Sequence, residues 1–304
     1  MKLRPADLTG PVGMGLFLVA VQIIAIVLVA PLNSSGLKAF SDPQNLLNPI
    51  IYIVIIILFT AIMLLIIKYN MRWVIQLFMG FAVLSAMVYA LLGVSLLIFP
   101  DVPDWIRLAA ALILSLLSTI LMIVYPEWYL VDIVGILTAA GASALFGISL
   151  SILPTILLLV LLAVYDFIAV YKTKHMIQLA EGVMDLKLPI LFVLPRKLSY
   201  SYARSKIQKL EPGQEREAYF MGLGDAVMPT VLTVSAQAFL AAPVIAGFIN
   251  VPALCTSIGT LVSYVLLMYF VLKGKPQAGL PFLCTGAIVG FLIGCAAVGI
   301  NPFF

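Results

Sequence analysis

Two aspartates carry the chemistry this chain can perform in lipid. Asp225 follows Gly222-Leu223-Gly224 near the start of one long apolar run, and Asp166 follows Tyr165 near the end of another. A carboxylate inside a membrane span is costly, so each marks a functional site by default. No lysine or arginine is clearly embedded in either run, and Arg107 lies toward the opposite face, so neither acid has an evident salt-bridge partner. Two carboxylates brought close without a cation share a proton. Such a pair suits hydrolysis, one member activating a water and the other donating to a carbonyl. It equally suits a proton- or cation-coupled transporter. The glycines before Asp225 strip side chains from the backbone, which leaves room for another chain beside the carboxylate.

The elements that must position these acids are membrane helices. The chain has 304 residues, of which 63% are hydrophobic and 10% charged, against about half and a quarter in soluble domains. Its mean hydropathy is +1.18. Composition therefore gives an all-α polytopic membrane protein. A span needs about 20 apolar residues, and nine are read: 11–31, 47–67, 73–99, 106–124, 129–149, 152–172, 218–240, 246–272 and 281–300. The first run has no clear cleavage site and is read as a span, not a removed signal. Helices one to six occupy 1–172, a cytoplasmic loop 173–217 follows, and helices seven to nine fill 218–304. Within the loop, Leu188–Leu194 is apolar but too short to span, and reads as interfacial or strand-like. Residues 196–217 read as a solvated, partly disordered linker. The three cysteines, Cys255, Cys284 and Cys295, lie in apolar runs, and an odd count argues against a disulfide framework. A net charge of +4 calls for no nucleic-acid partner.

Lysine and arginine set the orientation. With nine spans, all of the 17 basic residues except Lys38 and Arg107 fall on one side. That side is expected to be cytoplasmic and to hold the N-terminus, with the C-terminus outside. Helix six ends and helix seven begins on this side, which puts Asp166 and Asp225 at matching depth, roughly 9–11 Å inside the boundary. Asp132, a third acid in an apolar run, reads as an interfacial carboxylate near a helix N-terminus. His175 is the only histidine and sits at the membrane edge, and no HExxH motif exists. Zinc and Ser-His intramembrane protease chemistries therefore lack their residues.

The residues beside the acids resemble those of a known family. Tyr165-Asp166 in the sixth helix and Gly222-Leu223-Gly224-Asp225 in the seventh, with a long loop between, are similar to the signatures of the intramembrane aspartyl proteases, the presenilins and signal peptide peptidases. The orientation is presenilin-like, and the resemblance is in particular to a prokaryotic presenilin homologue. It covers roughly 150–300, while the first five helices match in number and hydropathy only. The family's third signature, Pro-Ala-Leu, has two candidates. Pro252-Ala253-Leu254 matches literally, but the family places one full span between the GxGD helix and this motif. Ala278-Gly279-Leu280-Pro281 satisfies that spacing as a variant, and is favoured. Proline and small residues at a helix start leave backbone groups free, which membrane depth tolerates only where they are buried or line water.

The resemblance implies an intramembrane endopeptidase with Asp166 and Asp225 catalytic, supported by Tyr165, Gly222, Leu223, Gly224 and Ala278 to Pro281. Its substrates would be single-span transmembrane peptides or proteins with the N-terminus outside, met within the lipid bilayer of a prokaryotic cell membrane. It also implies that Leu188–Pro195 pairs with the unwound substrate. No metal or organic cofactor is called for. The short outer loops leave no large docking domain, so no obligatory partner subunit is expected, and a homo-oligomer stays open.

Overall fold

A computed structural model describes residues 5–69, 71–173, 191–197, 200–203, 217–272 and 277–302. His175, the start of the apolar Leu188–Leu194 stretch and most of the charged 196–217 segment lie outside the described residues.

Among these residues, the long runs of Leu, Ile and Val wind into nine helices. They are α1 Pro5–Ser34, α2 Leu47–Lys68, α3 Arg72–Ile98, α4 Asp104–Val124, α5 Trp128–Ser149, α6 Ile152–Ile168, α7 Leu223–Phe239, α8 Val251–Leu272 and α9 Gly279–Ala297. Eight of them are long and apolar enough to cross a membrane, α6 by continuing through a π-helical turn to Lys172; α7, with 17 residues and no such continuation, is the exception. Their outward faces carry large exposed apolar side chains from Leu16 to Ile293. In lipid such a surface is solvated, and every helical backbone group is satisfied internally.

The sequence reading is corrected at two helix starts. Residues 218–222 form a strand, β2 (Ala218–Gly222), so helix seven begins only at Leu223. β2 pairs antiparallel with β1 (Leu191–Pro195), with Phe192 opposite Met221 and Val193 opposite Phe220. The apolar stretch before Pro195 is thus a strand within the protein's own hairpin. Likewise helix eight starts at Val251, not at 246, behind a small hairpin of β3 (Val244–Ile245) and β4 (Ile249–Asn250). Asn250 closes that end. Its Oδ1 accepts the Ala253 N–H at 2.9 Å, and its Nδ2 donates to the Ala236 carbonyl at 2.8 Å. Both segments are apolar, and hydropathy alone cannot tell a short buried strand from the first turns of a helix.

The most buried helix, α5, is the hub. Three of its glycines let neighbours approach. A Cβ on Gly135 would lie 3.2 Å from the Phe192 ring, one on Gly141 2.5 Å from the Ala86 carbonyl of α3, and one on Gly147 3.0 Å from the Val231 carbonyl of α7. Small residues at such crossings allow the close backbone packing that drives helix association in lipid. The β1–β2 hairpin sits between α5 and α1. Phe17 of α1 packs on Phe192 with ring centroids 5.5 Å apart, and Phe192 is fully buried.

The closest helix pair is α8 and α9, whose backbones touch through Gly259, Gly286 and Gly290. A Cβ on Gly290 would run into the Cys255 carbonyl and approach the Gly259 Cα to 3.0 Å. Gly290→Leu is therefore expected to destabilise the fold by about 1–3 kcal/mol or more, read as a lower unfolding midpoint of the detergent-purified protein. Val289→Leu is the control, because Val289 faces outward at 49% exposure. An unchanged midpoint for the Gly290 variant would refute the tight crossing.

Candidate active site

Asp166 is buried, at 6% exposure, two residues before the end of α6. The chain then passes through a single π-helical turn, Ala169–Thr173. Such turns recur at functional positions, where they re-aim side chains. Asp225 is half-buried in the first turn of α7, where the helix N-terminus favours negative charge. It is the third residue of its helix, not the seventh or eighth. The five residues before the helix are the extended strand β2, rising about 3.3 Å per residue.

The start of α9 brings the two acids together. A Cβ on Gly279 would lie 2.9 Å from Asp225 Oδ1 and 3.0 Å from Oδ2. The next residue, Leu280, donates its backbone N–H to Asp166 Oδ2 at 3.3 Å. Consecutive residues thus each border one carboxylate, which makes the two acids neighbours. A new helix has free N–H groups in its first turn. Pro281 has none to offer, and that of Leu280 is taken by Asp166. The preceding residues are anchored to the end of α6: the Tyr171 hydroxyl donates to Gln277 Oε1 at 2.7 Å and accepts the Ala278 N–H at 3.4 Å.

The other candidate residues separate by direction. A Cβ on Gly222 would lie 3.5 Å from Asp225 Oδ2, whereas one on Gly224 meets nothing within 4 Å. Gly222 therefore borders the carboxylate, and Gly224 borders open space. Leu223 packs into the core, near Gly135 of α5. Tyr165 donates to Thr60 Oγ1 of α2 at 3.3 Å. Pro252-Ala253-Leu254 lies at the far end of α7, tied by Asn250 to Ala236 and Leu240. It touches neither acid.

Two residues near the acids escaped the sequence reading. Pro229 stands four residues after Asp225 and cannot supply the N–H that would bond the Asp225 carbonyl, which loosens the first turn of α7. A proline at that spacing was a visible signal. Tyr171 had none, because its partner lies more than a hundred residues away. Asp132, the fifth residue of α5, is 3% exposed and accepts the Val193 N–H on Oδ1 at 2.8 Å, so its partner is strand β1. Among the described residues no group of three or more His, Cys, Asp or Glu is placed to hold a metal ion.

A multi-pass membrane protein with two aspartates met by the first turn of a third helix has the parts of an intramembrane aspartic protease. Residues 14–300 match the family model described as signal-peptide peptidase, presenilin aspartyl protease. The chain belongs to this family, whose reach extends well into the N-terminal half, where the sequence motifs alone carried it only to about 150. Two crystal structures of a presenilin family intramembrane aspartate protease are similar. The first, in a C222 form, has 40% identity and a TM-score of 0.69, covering 94% of this chain and 99% of that one. The second, in a P2 form, has 41% identity and a TM-score of 0.66, covering 94% and 97%. No curated protein matches.

Proposed function

We propose that this chain hydrolyses peptide bonds of single-span transmembrane substrates with Asp166 and Asp225 as its catalytic pair. The observation that carries the reading is the contact of two adjacent residues, Gly279 and Leu280, with the two different carboxylates. In the reaction the ionised member takes a proton from water while the water oxygen bonds to the scissile carbonyl carbon. The protonated member gives its proton to the carbonyl oxygen, and a gem-diol forms. The proton held by the first carboxylate then passes to the amide nitrogen. The C–N bond breaks, a diol hydroxyl returns its proton to the second carboxylate, and acid and amine products leave. Gly222 and Gly224 give the substrate backbone room beside Asp225, and the substrate helix unwinds locally so that its carbonyl is exposed.

The lysine and arginine distribution supports a cytoplasmic N-terminus, with the acids reached from that side and substrates entering with the N-terminus outside. A prokaryotic cell membrane is the proposed setting, and the single chain is proposed to act without partner subunits. The test is to incubate detergent-purified protein with a synthetic transmembrane peptide and identify fragments by mass spectrometry. Discrete fragments, suppressed by aspartyl-protease transition-state analogues, are expected. An intact peptide together with proton uptake by protein-loaded vesicles would favour a transporter instead.

A further inference from the structure

Residues 200–203 fall in the charged stretch that reads as a solvated linker, yet Tyr202 is wholly buried, at 0% exposure. The chain turns after β1, the Tyr200 N–H donating to the Lys197 carbonyl at 3.0 Å, and brings Ser201 and Tyr202 to the start of α5. There Glu127 receives them. The Ser201 hydroxyl donates to Oε1 at 2.6 Å, and the Tyr202 N–H to Oε2 at 3.2 Å. Glu127 stands at the N-cap of α5, but its side chain makes no capping bond to its own helix. Both carboxylate oxygens serve the loop instead, and the shorter bond has the length typical of a hydroxyl on a carboxylate. The proposed chemistry uses none of these groups.

What Tyr202 lies against gives it a task. Side chains along the β1–β2 hairpin alternate between its two faces. Phe192 and Met221 belong to the core cluster on which Phe17 of α1 packs. Val193, Ala218 and Phe220 look the other way, and Tyr202 belongs to their cluster, together with Val134 of α5 and Met87 of α3. Its ring centroid is 6.4 Å from that of Phe220. A two-stranded hairpin is marginal by itself. This one is also closed by residues 196–217 and not by a tight turn, and a long closure costs more entropy than a short one. Helices α1 and α5 flank the hairpin, and the chain's own loop returns Tyr202 to complete the second face. Asp225 follows β2 by three residues, so whatever steadies the hairpin steadies that carboxylate. Asp166 is held separately, by α6 and by Leu280 of α9.

We propose that Tyr202, held by Glu127, is a positioning residue for the reaction: it backs the second face of the β1–β2 hairpin and so fixes Asp225 beside Asp166 before any substrate arrives. This rests on the proteolytic reading above. Without the ring, Val193 and Phe220 lose a buried neighbour, and the two strands separate more readily. Asp225 then shifts relative to Asp166, whose supports are untouched. Misplacing a reacting group by about 1 Å costs about 100-fold in rate. A fault in the loop thereby reaches the chemistry through Asp225, with no contact to substrate needed.

Steady-state cleavage of a transmembrane peptide by the purified full-length protein, together with hydrogen exchange of the peptide-free protein, provides the test. Tyr202→Ala is expected to lower kcat by about tenfold or more. KM should change by less than about threefold, because the loss lies in the placement of Asp225. The β1 and β2 amides of this variant are expected to exchange faster, while those of α8 and α9 keep the parent's rates. Tyr202→Phe keeps the ring and should restore both readouts. Glu127→Ala frees the loop but leaves the ring intact. It should shift both readouts in the same direction, and it stands in for Tyr202→Ala if that variant does not fold. Parent-like kcat and exchange in the alanine variants would overturn the proposal. So would a lowered kcat with exchange that quickens equally in α8 and α9, the mark of a general loss of stability. A Tyr202→Phe protein as slow as Tyr202→Ala would overturn it too. If the parent does not cut the peptide, the proteolytic reading falls, and the exchange pattern alone decides whether Tyr202 holds the hairpin.

Discussion

Asp166→Ala and Asp225→Ala are each expected to abolish cleavage of a transmembrane peptide, lowering kcat by about 10⁴-fold or more, the range seen when one member of a catalytic unit is deleted. In the proposed mechanism each aspartate does something the other cannot do in the same step, because one must be ionised while the other carries the proton. The double variant is accordingly expected to be no worse than either single one. The fold should hold. Neither acid is an essential strut: among the described residues Asp166 accepts one long hydrogen bond, at 3.3 Å from the Leu280 N–H. Removing a carboxylate from an apolar setting relieves a desolvation penalty. The check is fragment yield against unfolding midpoint for the same preparation. Cleavage retained in either single variant would refute the pair, and a collapsed midpoint would turn the loss into a folding effect.

Gly279→Val is expected to lower kcat/KM by about 100-fold, the scale of loss when a reacting group is displaced by about 1 Å. Even the Cβ would lie 2.9–3.0 Å from three atoms of Asp225. The carboxylate must therefore move, and valine adds two methyl groups at the same place. Gly224→Ala provides the contrast, because a Cβ there meets nothing in the free protein. It should leave folding untouched and act, if at all, through KM, where substrate backbone fills the space. Steady-state kinetics on the two variants separates the effects. Parent-like activity in Gly279→Val would show that the third motif does not press on the pair, and would reopen the case for Pro252-Ala253-Leu254.

Much of this was legible before any coordinates. The helices follow from apolar runs of spanning length, and the acids stand out because formal charge is rare in them. The choice of Ala278–Pro281 over the literal Pro252 motif came from counting one span between motifs. What stayed hidden depends on contacts. Ala218–Gly222 is apolar and runs without interruption into α7, and only its pairing with Leu191–Pro195 makes it a strand. Five residues before Asp225 that hydropathy alone assigns to the helix are extended. Asp132 looked like an N-terminal helix acid because its partner, Val193, is 61 residues away. Tyr171 and Gln277 are 106 apart. No periodicity encodes such pairs.

The brevity of α7 has a consequence for how it is housed. Its 17 residues reach about 26 Å, short of the roughly 30 Å of a typical hydrocarbon core. α1, with 30 residues, reaches about 45 Å. The shortfall lies at the ends of α7, where β2 and the β3–β4 hairpin stand in place of helical turns, and one of those ends holds Asp225. α7 packs against α1, α5, α6, α8 and α9, so these helices and not lipid fill its missing length, and the extended backbone at its ends is tolerated because protein surrounds it.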